Sequence, residues 1–121
     1  MVDSPPLVAP RPIRVVKLLR KTDEGAFISP VRKHPYHLDA ENPKVNLIPD
    51  KGNCINEGYH AYLNEQTILN LYRNFKFKTI KGLTLKTPYI VGVFEIPLGT
   101  TYFVNSRNEV VSENIIFRST L

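Results

Sequence analysis

A short aromatic strand that runs directly into an amphipathic helix leaves a chain few ways to fold, and the stretch GYHAYLNEQTILNLYRNF, residues 58–75, reads as such a junction. Asn64 is placed to cap the helix, because its side-chain oxygen accepts from the free N–H groups of the first turn. Glu65 sets negative charge at the positive end of the helix dipole, and Leu63 with Ile68 occupies the two positions of a hydrophobic staple. Ile68, Leu71, Tyr72 and Phe75 then recur at i, i+3, i+4 and i+7, a single apolar stripe. The spacing predicts a helix over residues 65–75, which must lay that stripe on another layer.

Strands supply that layer. IRVVKLLR, from Ile13 to Arg20, is β-branched and apolar in both parities, the pattern of a strand covered on two faces. YIVGVFEI, from Tyr89 to Ile96, sends Tyr89, Val91 and Val93 to one side and Ile90, Phe94 and Ile96 to the other. Shorter strands are expected at Tyr59–Leu63, Thr101–Val104, Glu109–Ser112 and Ile115–Arg118, with a polar turn at Asn105–Asn108 and a hairpin extension at Ala26–Ser29. The expected class is α+β: one domain over residues 13–121, a twisted and mostly antiparallel sheet of about six strands with the 65–75 helix packed on it.

Two segments stand apart. Residues 1–12 carry Pro5, Pro6, Pro10 and Pro12 and read as an extended or disordered lead outside the core. Residues 32–56 are irregular and broken by Pro35, Pro43 and Pro49, with short strand pieces expected near Tyr36–Leu38 and Val45–Ile48. A loop of that length is more often functional than not, and a meandering surface connection is the plainer alternative.

No apolar run reaches the roughly 18 residues that cross a bilayer, so no membrane association is expected. The start, MVDSPPLVAPRP, lacks the basic region and apolar stretch of a secretory signal, which points to a cytoplasmic protein. Cys54 is the one cysteine, which excludes an internal disulfide and a cysteine metal cluster. His34, His37 and His60 match no zinc spacing, and there is no glycine-rich phosphate loop or nucleophile-elbow serine. The carboxylates Glu95, Glu109 and Glu113 are dispersed; Glu109 is singled out because it opens a strand after a turn, where a side chain can reach into a cleft, although a solvated turn residue is the plainer alternative.

The formal net charge of +5 suits an acidic partner: a nucleic acid, a nucleotide or an acidic protein face. Cations gather on the first strand, at Arg14, Lys17 and Arg20, and again at Arg73, Lys76 and Lys78 with Tyr72, Phe75 and Phe77 interleaved. Such a mixture stacks bases and neutralises phosphates, although a solvated edge strand explains the same residues. Tyr59, His60 and Tyr62, at the strand–helix junction, are candidate walls of a ligand site, although core or surface packing is the plainer role for His60.

Two resemblances extend this reading. Ser29 and Pro30 after a strand, the Gly58-Tyr59-His60-Ala61-Tyr62 run, Ile96-Pro97 with Gly99 and Tyr102, and Val111, Ser112, Asn114 and Ile115 resemble the pattern of small uncharacterised proteins of bacteriophages and their bacterial hosts. The order from Gly58 to Tyr72 and from Glu109 to Phe117 is also similar to the C-terminal half of the ADP-ribosyltransferase fold, although IRVVKLLRK lacks that family's His-Gly dipeptide for NAD. The first resemblance implies a small non-enzymatic binding protein without a cofactor, one that inhibits or sequesters a host defence factor, a nucleotide or a nucleic acid. The second implies an NAD-dependent mono-ADP-ribosyltransferase with Glu109 as catalytic carboxylate and Tyr59 or Tyr62 stacked on nicotinamide. A third reading is a homo-oligomeric virion component whose tail and long loop dock on neighbours.

Overall fold

The computed structural model describes residues 5–29, 33–52, 54–55, 57–67 and 89–120. Within them the chain forms nine strands: β1 (Leu7–Val8), β2 (Ile13–Lys21), β3 (Phe27–Ile28), β4 (Pro35–Tyr36), β5 (Tyr59–Tyr62), β6 (Tyr89–Ile96), β7 (Thr101–Val104), β8 (Glu109–Ser112) and β9 (Ile116–Thr120). Every pairing between them is antiparallel. β2 is the axis. One of its edges runs the length of β6, from Ile13↔Ile96 to Arg20↔Tyr89. The other edge is shared between β5, at Val16↔Tyr62, and β3, at Arg20↔Ile28 and Lys21↔Phe27. Outward from β5 come β8, β7 and β1; outward from β6 comes β9. Leu38, two residues past β4, makes a parallel bridge to Phe117 of β9. The pairings β2–β6–β9–Leu38–β4–β3–β2 therefore close on themselves, which covers edges that an open sheet would leave unpaired.

The alternation expected of β2 and β6 holds. Val15 and Leu19 point into the main core with Phe94 and Ile96, while Val16, Leu18 and Val91 form a second buried cluster on the opposite face. The main core is aromatic at its centre: Phe94 stacks on Phe117 at 5.0 Å, and Phe27 and Tyr36 meet that pair edge-on at 5.3 and 5.0 Å. Gly92 makes this possible, since a Cβ there would lie 2.7 Å from the side chains of both Leu19 and Phe94. A bulge in the β6–β9 register between Val93 and Phe94 accompanies it.

Several expectations need correction. Residues 65–67 begin a helix, and Asn64 Oδ1 accepts the N–H of Gln66 at 2.8 Å, so the expected cap is present. The rest of the 65–75 helix, and the basic run with Arg73, Lys76 and Lys78, lie outside the described residues. The described residues form a mostly antiparallel β-sheet, with residues 65–67 as the described start of the expected helix. The strand total exceeds six by the two-residue strands β1, β3 and β4; β3 and β4 lie at the hairpin extension and strand piece expected near Ala26–Ser29 and Tyr36–Leu38, and β1 alone was not expected.

The described part of the lead, residues 5–12, is not separate from the core. Leu7 and Val8 pair with Tyr102 and Thr101, and Ala9 is 1% exposed, its N–H bonded to Thr100 O at 3.0 Å and its carbonyl to Gly99 N at 2.8 Å. Pro6 and Pro10 flank three residues that keep their N–H groups, and a proline-bearing segment fits a sheet edge, where only one side of the strand is bonded.

The long loop is fastened at many points. His34 Nε2 and Asn42 Oδ1 lie 3.0 Å apart, Asn42 Nδ2 donates to Ile115 O at 2.7 Å, and Val45 N donates to Glu113 O at 3.0 Å. Leu47 and Ile55 then pack on Phe103 and Val111. Of the two strand pieces expected there, the one near Tyr36–Leu38 forms as Pro35–Tyr36 with a bridge at Leu38, and residues 45–48 form no strand.

Candidate functional site

The β5–β8 ladder decides which junction residues can meet a ligand. Its register is Tyr59↔Ser112, His60↔Val111, Ala61↔Val110 and Tyr62↔Glu109. Alternation sends Tyr59 and Ala61 into the core and puts His60 and Tyr62 on the outer face, beside Val111 and Glu109. A cavity of about 90 Å³ opens there, lined by Ile55, His60, Phe103, Asn105, Glu109 and Val111, with Val110 between them. His60 and Glu109, distant in sequence, are thus brought to one place.

The turn between β7 and β8 shapes one wall. Asn105 N donates to Glu109 O at 3.1 Å and Asn108 N to Asn105 O at 3.2 Å, with Asn108 at a φ of 61°. Asparagine tolerates that left-handed conformation better than most residues. Asn105 Oδ1 accepts from the N–H groups of Arg107 and Glu109, at 2.9 and 3.1 Å. Glu109 stands beside Tyr62, whose phenol is pushed above its ordinary pKa by burial and then by the Glu109 charge.

Tyr59 is no part of this wall. It is 6% exposed, its hydroxyl donates to Pro43 O at 2.6 Å, and its ring lies edge-on to His34 at 5.7 Å and Tyr36 at 6.4 Å. Burial raises the pKa of both tyrosines, for Tyr36 with a further push from Tyr59. Of the two tyrosines in the ADP-ribosyltransferase resemblance, only Tyr62 stands near Glu109.

The cations of β2 do not converge. Arg14 and Arg20 share the outer parity, and Lys17 takes the other. Arg14 is ion-paired with Glu65 and remains half exposed. Lys17 Nζ donates to the carbonyl of His60 at 2.7 Å, where β5 touches β2 through one pair only and the lysine supplies the donor a longer ladder would. Arg20 has its Nε buried without a hydrogen-bond partner among the described residues.

A second concavity escaped the sequence reading. Pro10, Arg11, Pro12, Ile13, Arg14 and Tyr102 line a groove of about 360 Å³ where the N-terminal segment crosses from β1 to β2. The PRPIR run was a legible signal for it, two arginines held around a proline, but the partner Tyr102 is set only by the β1–β7 pairing. Among the described residues no group of three His, Cys, Asp or Glu side chains is placed to hold a metal, and no helix is long and apolar enough to cross a membrane. Cys54 is partly exposed in the Asp50–Cys54 turn.

No family model, curated protein or solved structure matches the chain.

Proposed function

We propose that this chain is a small non-enzymatic binding domain that holds single-stranded nucleic acid in the groove between its N-terminal segment and β7. The observation that carries the reading is the groove's lining of two arginines, one tyrosine and two prolines. A guanidinium fork matches two phosphate oxygens at once. A tyrosine ring offers a stacking surface worth roughly 1–3 kcal/mol per base. Pro10 and Pro12 fix φ on either side of Arg11, so little backbone freedom is lost when its side chain engages. The ion pair of Arg14 with Glu65 is half exposed, and such pairs contribute about 1 kcal/mol at most, so a phosphate replaces the carboxylate at small cost.

An acidic protein segment satisfies the same arginines but makes no use of the Tyr102 face. The likeness to small phage and bacterial proteins gives the reading its setting: a protein that sequesters nucleic acid from a host defence factor, or occupies that factor's own nucleic-acid site.

Fluorescence anisotropy of a labelled single-stranded oligonucleotide in rising salt tests this. Each phosphate contact adds about 0.7 to the slope of log K against log salt, so Arg11→Ala with Arg14→Ala is expected to weaken binding and flatten the slope by about 1.4. A salt-independent affinity, an unchanged double variant, or equal competition by polyglutamate would overturn the reading.

A further inference from the structure

The outer cavity has a donor and acceptor layout of its own. Asn105 Oδ1 is occupied by two turn N–H groups, at 2.9 and 3.1 Å, which directs the Nδ2 donors away from the turn backbone. Glu109 is partly buried, and its carboxylate makes no hydrogen bond or ion pair among the described residues. Elsewhere Glu65, Glu95 and Glu113 are each met by an arginine or lysine. Phe103, Val111 and Ile55 give the cavity a buried apolar floor. A carboxylate beside apolar surface is costly to desolvate unless donors reach it, so an occupant must bring N–H groups to Glu109. It must also bring an acceptor to Asn105 Nδ2, and a flat apolar body for the floor.

We propose that this cavity binds a guanine-type base, edge first. The ring N1–H and the exocyclic amino group donate to the two carboxylate oxygens of Glu109, the neighbouring carbonyl oxygen accepts from Asn105 Nδ2, and the ring plane lies against Phe103 and Ile55. Adenine presents a lone pair where Glu109 requires a second donor. Cytosine offers its amino group alone. A free guanidinium satisfies Glu109 but brings donors to Asn105 as well. The cavity of about 90 Å³ admits the base edge and leaves sugar and phosphate in solvent. The inference therefore stands apart from the arginine groove.

The test uses the full chain with phosphate-free nucleosides, titrated by calorimetry and followed by amide chemical shifts. Guanosine is expected to bind with an affinity indifferent to salt and to shift the amides of Ile55, Phe103 and Val111. Adenosine is expected to bind at least about tenfold more weakly, and inosine, which lacks the exocyclic amine, to fall between, in line with the discrimination a bidentate base contact gives. Glu109→Gln replaces an oxygen that holds no hydrogen bond among the described residues, so the thermal midpoint is expected to stay put while guanosine affinity falls by tenfold or more. Equal binding of guanosine and adenosine would overturn the proposal. So would methylguanidinium binding more tightly than guanosine, shifts confined to other residues, or full affinity in Glu109→Gln. Because guanosine carries no phosphate, a negative result here leaves the salt-dependent oligonucleotide measurement intact, and the converse holds.

Discussion

Tyr59→Phe separates a structural tyrosine from a ligand-binding one. The substitution keeps the ring, with its edge contacts to His34 at 5.7 Å and Tyr36 at 6.4 Å, and deletes only the hydroxyl that donates to Pro43 O at 2.6 Å. An internal hydrogen bond of this kind contributes about 1 kcal/mol net, and the Pro43 carbonyl is left to find another donor. For a domain of this size, about 1 kcal/mol corresponds to a fall in Tm of roughly 3–5 °C. Chemical denaturation should show the same loss as a lower midpoint with an unchanged m-value, because the compactness of neither state is altered. Tyr59→Ala removes the ring as well and should cost about 3–5 kcal/mol, the range for truncating a buried aromatic. Oligonucleotide affinity of the folded Tyr59→Phe protein should equal that of the parent, since the residue is 6% exposed and lines neither the arginine groove nor the outer cavity. A Tyr59→Phe protein as stable as the parent but impaired in binding would refute the assignment of this side chain to the core.

Gly92→Val should lower stability by about 1–3 kcal/mol in urea titration, since a Cβ there meets Leu19 and Phe94 at 2.7 Å and the packed aromatic core must shift. Asn42→Ala severs the link from His34 to the Ile115 carbonyl and should cost about 1–3 kcal/mol, with faster hydrogen exchange in residues 33–48 as the specific readout. Stability should also decline above about pH 10. Burial raises the pKa of Tyr36, Tyr59 and Tyr62 in the folded state, so above the ordinary value of 10 the unfolded chain loses protons that the folded chain retains. The stabilising difference is complete below pH 10 and is lost as pH rises. Phenolate absorbance should titrate late in the folded protein, and Tyr36→Phe should flatten the alkaline decline.

Strand content was legible wherever a strand was long enough to repeat its pattern. The double-sided apolar character of β2 and the alternation along β6 require burial on both faces, and Val15, Val16, Leu18 and Leu19 are buried accordingly. The Asn64 cap was legible as well, because it depends on a side chain and an N–H two residues away. So was the β7–β8 turn, whose polar residues and left-handed Asn108 are local matters. β1 was not legible: nothing within PPLVAPRP states that Leu7 and Val8 will meet Thr101 and Tyr102.

The same division separates the site residues. That Glu109 opens a strand after a turn is a property of its neighbours in sequence. That it faces His60 and Phe103 across a cavity, and that Tyr59 faces inward beside Pro43, follows from the β5–β8 and β7–β8 registers. One residue of slip would exchange the two faces of β5. Local interactions along the chain fix caps, turns and alternation. The choice of which face is interior, and of which distant residues share a groove, is made by the core as a whole, because only the assembled strands can bury Phe94, Phe117 and Tyr36 together.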